Sequence, residues 1–200
     1  MAPPARALRG SHKCVQLGFS TSDEALFGPL YAAKCAAKDA ATTSSALGLR
    51  LSGAQGWWTD PSGGKGGGGA ATAWRAPRAA CKALRSSDDV TRLLGWLFLS
   101  RAGALPSAAR DCAALSAWLH SQTAARFFGA SVLIVFDADD TGGCAAGCAV
   151  RLVDFAHTLV GRGPDGGSAP GAAALAGMLQ QLQTRGLNAA ERGVPEPWWL

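Results

Sequence analysis

The stretch VRLVDFAHT, Val150 to Thr158, ends a short apolar run in an aspartate and sets a histidine three residues further on. An acid where a buried strand emerges has two uses. Its oxygens suit a hard cation such as Mg2+, and the strand fixes where they stand. Alternatively, Asp154 is a helix cap that accepts backbone N–H bonds from the turn that follows, the commoner use of such a residue. Spacing alone leaves both open. A second group of candidates is cationic. Lys34 and Lys38, four residues apart in LYAAKCAAKDA, fall on one face of a helix and, taken alone, read as a solvated lysine face.

Two other patterns fail a chemical test. Gly64 to Gly69, GKGGGG, fits the dinucleotide-binding G-x-G-x-x-G and half of a phosphate-binding loop. No apolar strand-helix unit surrounds it, and the residue after Lys65 is Gly rather than Ser or Thr, so neither stands. Cys144 and Cys148 have no second pair or nearby histidine, whereas a structural zinc site takes four ligands. The six cysteines are scattered through a chain that shows no secretory signal, which predicts reduced thiols. A formal charge of +5 and a pI near 9.1 favour an anionic partner. With no basic stripe interleaved with aromatics and no nucleic-acid-binding motif, nucleic acid is not the expected partner. No apolar run reaches the roughly 20 residues that cross a bilayer. A monomer without a membrane span, in cytoplasm or nucleus, is expected.

Such residues need a scaffold. CVQLGF (14–19) predicts a strand closing on Gly18, and Ser22-Asp23-Glu24 predicts a helix start, with Pro29 interrupting before the helical pattern resumes from Leu30. TTSSALGLRLSGAQGWW (42–58) predicts a hydroxyl-rich turn and then a strand, and residues 61–73 a flexible Gly-rich loop. A helix is predicted from Ser86, where hydroxyls and acids precede a Leu, Trp and Phe face. Another is predicted over Ser107 to Phe128, with Leu115, Trp118 and Leu119 as core. ASVLIVF (130–136) and VRLVDF (150–155) predict an antiparallel strand pair around an irregular loop. A last helix is predicted from Ala172 to Gly186, before a short tail over 191–200. The mixture predicts an α+β fold.

An Asp-Phe after a strand resembles the metal-binding Asp-Phe-Gly of protein kinases, but Ala156 follows here and no H-R-D loop exists, which excludes an ordinary protein kinase. VRLVDFAHT is instead similar to inositol polyphosphate kinases, in which a strand ends in [IV]-D-F and A-H follows in the multikinase branch. Further blocks lie in the family's order. YAAKCAAKD (31–39) and TTSSALGLRLSG (42–53) resemble the substrate-side helix and the T-[TS]-S-x-x-L-G-x-R-x-x-G strand of plant-type multikinases. WLHSQTAARFFGASVLIVF (118–136) resembles the helix leading into the S-S-L-L strand. The likeness runs from about Cys14 to about Leu182.

This resemblance implies the C-terminal lobe of the inositol polyphosphate kinase fold, an antiparallel sheet packed with helices, over residues 14–190, with residues 1–13 disordered. It implies transfer of the γ-phosphoryl group of ATP, with Mg2+, to a hydroxyl of an inositol polyphosphate. By position it implies Asp154 as the catalytic metal ligand, Ser131 beside it at the nucleotide phosphates, and Lys34, Lys38 and His157 as contacts to the inositol phosphate. The family signature P-x-x-x-D-x-K-x-G, read back from Gly18, places its lysine on Gln16, its aspartate on Cys14 and its proline on Gly10. Gln16 can hydrogen-bond a phosphate of the substrate but brings no charge. Only Met1 to Leu17 precede Gly18, so the ATP-gripping lobe is expected to be missing, as in a truncated copy. The second expectation is a non-catalytic module that still binds inositol phosphates.

Overall fold

The computed structural model describes residues 12–19, 24–58, 72–99, 101–137, 148–161, 163 and 165–187. In chain order the first half runs β1 (His12–Phe19), α1 (Glu24–Ala40), α2 (Ser44–Leu47), β2 (Leu49–Trp58), β3 (Thr72–Arg75), α3 (Arg78–Ala83) and α4 (Ser87–Leu99). After a 3-10 turn at Ala102–Ala104 come α5 (Leu105–Ser121), β4 (Ala125–Phe127), β5 (Ser131–Asp137), β6 (Cys148–Val153), β7 (Thr158–Val160) and α6 (Ser168–Arg185). Five strands form one sheet in the order β3-β2-β1-β5-β6, each neighbour antiparallel, and β4 pairs with β7 in a separate ribbon. The fold is α+β.

Alternation along the strands decides which face is core. Val15, Leu17 and Phe19 of β1, Leu49 and Leu51 of β2, and Val132, Ile134 and Phe136 of β5 are buried. They share one apolar cluster with Val90, Leu94, Leu97 and Phe98 of α4 and Leu175, Leu179 and Leu182 of α6. Phe98 stacks on Phe136 with ring centroids 4.9 Å apart, tying α4 to the sheet. The alternate positions, among them Gln16, Gly18, Arg50 and Ser131, belong to the opposite face. Pairing slips between β1 and β2. Gln16 is opposite Gly53 and Leu17 opposite Leu51, which leaves Ser52 as an extra residue. Such a bulge re-aims side chains, and here it switches the buried phase of β2 from Leu49 and Leu51 to Ala54 and Gly56.

Several elements depart from the sequence reading. The interruption of α1 lies at Gly28 (φ 75°, ψ 165°), and Pro29 then opens the second segment, where its fixed φ and missing N–H are no handicap. The hydroxyl-rich turn is partly the one-turn helix α2. Thr72 and Ala73, assigned to the Gly-rich loop, pair with Trp58 and Trp57 in β3. The helix expected to reach Phe128 stops at Ser121. There the Gln122 side chain donates to the Ala125 carbonyl (2.7 Å) and accepts from its N–H (3.0 Å), so β4 follows. Trp118 is 47% exposed and packs at the surface against Phe127, whereas Leu119 is buried. α6 starts upstream of Ala172 because Asp165 Oδ1 accepts from the N–H groups of Gly167 and Ser168, both at 3.0 Å. Cys14, Cys35, Cys81, Cys112 and Cys148 are free thiols. The expected N-terminal disorder through Ser11, the Gly-rich loop as far as Ala71, Cys144 and the 191–200 tail lie outside the described residues.

Candidate functional site

On the polar face of the sheet a cavity of about 280 Å3 opens against α1. Its floor carries Gln16 of β1, Arg50 and Ser52 of β2 and Ser131 of β5. Asp154 and His157, from the turn joining β6 to β7, complete one wall with Phe128 and Gly129, and Tyr31, Cys35 and Lys38 of α1 form another. The last three stand at i, i+4 and i+7, the spacing that puts side chains on one helical stripe. Of the six residues singled out from the sequence, Gln16, Lys38, Ser131, Asp154 and His157 therefore meet in one space. Lys34 is exposed and is not part of the described lining; one residue short of Cys35, it turns to the flank of the stripe.

The floor is shaped by what Gly18 lacks. Register places it between Arg50 and Ser131. A Cβ on Gly18 would stand 2.6 Å from Ser52 Oγ, 3.5 Å from Ser131 Oγ and 3.7 Å from Arg50 Nη2. Three donors thus close over a single point of the central strand. Arg50 donates from Nη1 to Asp39 Oδ1 (3.2 Å) and to Ser44 Oγ (3.0 Å), in a pair whose side chains are only 12% and 10% exposed. The hydroxyl-rich turn fixes these partners. Thr42 Oγ1 donates to the Lys38 carbonyl (3.1 Å), and Thr43 Oγ1 to the Leu49 carbonyl (2.8 Å). Burial pushes the Lys38 ammonium below the usual lysine range and Arg50 adds to this, while Cys35 and Asp39 act against it.

Asp154 has φ 67°, the only positive value for a non-glycine residue among those described. Aspartate tolerates this left-handed conformation better than most residues, and such positions gather at functional sites. β6 ends at Val153 and β7 begins at Thr158, so no helix follows for Asp154 to cap. Asp154 is exposed and lines the cavity, which leaves it open to an incoming metal ion. Among the described residues no three His, Cys, Asp or Glu side chains gather into a metal-binding group. Mg2+ commonly takes one or two carboxylates and completes its shell with phosphates and water, a donor set that Asp154 fits. His157 is placed by the β4–β7 ribbon: its carbonyl accepts from the Phe128 N–H (2.9 Å), and its ring lies 6.4 Å from that of Tyr31. Asp165 Oδ2 accepts from the Phe127 N–H (3.2 Å) and Ser168 Oγ donates to the Phe127 carbonyl (3.0 Å), anchoring that ribbon to α6.

Cys14, at the position of the signature aspartate, is not in the described lining. Burial pushes its thiol up, against hydrogen bonds with Gln55 that lower it, so it is neutral at pH 7 and does not replace a carboxylate. A larger cavity, about 580 Å3, opens between α2 and the start of α6 and contains none of the six sequence-derived candidates. The structure adds Arg50, Ser52, Tyr31 and Cys35 to the site. Arg50 and its partner Asp39 lie inside the quoted blocks TTSSALGLRLSG and YAAKCAAKD, so an acid and a base in neighbouring blocks was the available signal. Ser52 reaches the cavity beside a bulge, which no residue pattern announces.

An inositol polyphosphate kinase family model matches residues 15–183. The chain belongs to the inositol polyphosphate kinase family. Within that family it is 34% identical over 155 residues to inositol polyphosphate multikinase IPK2 of Oryza sativa subsp. indica and equally to that of subsp. japonica. The match covers 66% of this chain and 48% of each rice protein, so the chain spans about half the length of the curated relatives it matches. Two solved family structures superpose with TM-score 0.68 over 86% of this chain and 79% of theirs. One is an inositol phosphate multikinase used for protein engineering, 23% identical; the other is inositol phosphate multikinase Ipk2 from S. cerevisiae in complex with ADP and Mn2+, 14% identical. At these identities the superpositions establish the shared fold.

Proposed function

We propose that the cavity binds an inositol polyphosphate and that the protein transfers the γ-phosphoryl group of ATP to one of its hydroxyls. The observation that carries this reading is the meeting of Asp154 with Lys38, Arg50 and His157 in one cavity. Two cations and the His157 imidazole suit a polyanion, and Gln16, Ser52 and Ser131 supply neutral donors. Arg50 offers a planar fork to a phosphate; Lys38 offers a point charge on a flexible stem. Phosphoryl transfer asks a protein mainly for positioning and charge neutralisation. Lys38, Arg50 and His157 hold phosphates that do not react and so orient the accepting hydroxyl. Asp154 would hold Mg2+, with the Ser131 hydroxyl beside it at the nucleotide phosphates. Bound Mg2+ supplies neutralisation of the charge on the transferring group. The ADP and Mn2+ held by the yeast relative support this use of nucleotide and divalent metal.

Gln16 and Cys14, neutral where the family signature has lysine and aspartate, favour a second reading: a module that binds inositol phosphates without turning them over. One experiment separates the two. The protein is incubated with ATP, Mg2+ and inositol trisphosphate, and inositol tetrakisphosphate is measured by anion-exchange chromatography. The kinase reading expects product from the native chain and none from Asp154→Asn. Binding of the trisphosphate without turnover supports the module, and turnover that persists in Asp154→Asn contradicts the role given to Asp154.

A further inference from the structure

Arg50 presents two edges to different surroundings. Its Nη1 is engaged by Asp39 Oδ1 at 3.2 Å and Ser44 Oγ at 3.0 Å, both partners buried. Its Nη2 stands 3.7 Å from the point where a Gly18 Cβ would lie, in company with Ser52 Oγ and Ser131 Oγ. Asp39 is outside the described cavity lining, so it reaches a ligand by hydrogen bonding only through Arg50. We propose that Asp39, with Ser44, is a positioning residue that anchors one edge of the Arg50 guanidinium so that the other edge is held as a phosphate donor above Gly18. This role rests on the inositol polyphosphate reading given above.

Arginine carries a long side chain whose freedom must be lost before it can grip a phosphate. An anchor made on folding removes that loss from the binding step, which is how preorganisation raises affinity. The three residues come from the end of α1, the start of α2 and β2, and the Thr42 and Thr43 hydroxyls fix the spacing between those elements. Asp39 also offsets the repulsion that Arg50 exerts on neighbouring Lys38. The bland alternative is an ion pair that only fastens α1 to the sheet. Such a pair would leave the affinity of a folded variant untouched.

The test is calorimetric titration of inositol trisphosphate into the native chain, Asp39→Asn, Arg50→Met and the double variant. Asp39→Asn is expected to weaken binding about tenfold and to cause no further loss when Arg50 is already methionine. Ser44→Ala, which keeps the ion pair, is expected to weaken binding about twofold to threefold, and Asp39→Glu to restore most of the affinity. Circular dichroism accompanies each titration, and should Asp39→Asn fail to fold, Ser44→Ala and Asp39→Glu carry the comparison. Native affinity in folded Asp39→Asn, or native affinity in Ser44→Ala, overturns the positioning role while leaving the ligand assignment in place. An equal loss from Asp39→Asn in the Arg50→Met background does the same. A native chain that gives no heat with inositol trisphosphate overturns the ligand assignment and this role with it.

Discussion

Gly18→Ala is a test aimed at the floor of the cavity. Gly18 is not among the residues with positive φ, so alanine meets no backbone strain there. Its new Cβ would lie 2.6 Å from Ser52 Oγ, well inside the 3.4 Å at which ordinary van der Waals contact begins, while Ser131 Oγ and Arg50 Nη2 stay beyond that limit. Ser52 is exposed and escapes by turning about χ1, and no backbone atom is among the three nearest neighbours. The fold therefore loses about 1 kcal/mol, the scale of one displaced rotamer. Binding loses more, because the turned hydroxyl leaves the group of donors above the strand. A hydrogen bond to a charged group is worth about 1.5–3 kcal/mol, or roughly tenfold to a hundredfold in Kd. Urea unfolding reads the first quantity and calorimetry with inositol trisphosphate the second. Native affinity in a stable Gly18→Ala protein would refute the reasoning, since it would mean that no phosphate uses those donors. A stability loss above about 3 kcal/mol would also refute it, by showing that Ser52 is not free to turn.

Further expectations concern charge. Gln16→Lys restores the cation of the family signature on the cavity floor and is expected to tighten trisphosphate binding about tenfold at low salt, with the gain shrinking as salt rises; titrations at two ionic strengths check it, and unchanged affinity would contradict the placement of Gln16 against a phosphate. Lys38 loses its proton below the usual 10.5 because of burial and then Arg50. Affinity is therefore expected to fall as pH rises through that lowered value, earlier than an open lysine would allow, and Lys38→Arg should flatten the profile. The stability sign is opposite: between the folded and unfolded values the unfolded chain binds the extra proton, so folding strengthens as pH rises across that interval. Urea midpoints for the native chain and Lys38→Arg measure this difference.

Much of the site was legible through the family resemblance, which pointed to Gln16, Lys38, Ser131, Asp154 and His157, and strand alternation explains why several of these meet. Val15, Leu17 and Phe19 alternate with Gln16 and Gly18, and this alone sends Gln16 to the face opposite the core. The resemblance put Ser131 beside Asp154, and the antiparallel pairing of Ser131 with Val153, one residue before Asp154, shows how the two strands achieve it. What stayed hidden depends on geometry beyond a single element. Ser52 became a floor residue beside a slip in pairing with β1. Lys34 and Lys38 share a helical spacing, yet only the stripe through Tyr31, Cys35 and Lys38 lines the cavity. Trp118 has the spacing of a core residue but sits on the outer side of α5, where Phe127 gives it a partner at the surface. The polarity of Arg50 and Asp39 argued for exposure, and their mutual pairing, with Ser44 Oγ as a second partner of Arg50, offsets the cost of their burial.

The most direct test of the central claim is a crystal structure of the chain with inositol trisphosphate. The phosphates are expected within hydrogen-bond distance of Lys38, Arg50 and His157, with one above Gly18. Trisphosphate bound instead in the larger cavity between α2 and α6, with the Gly18 floor empty, would contradict the account.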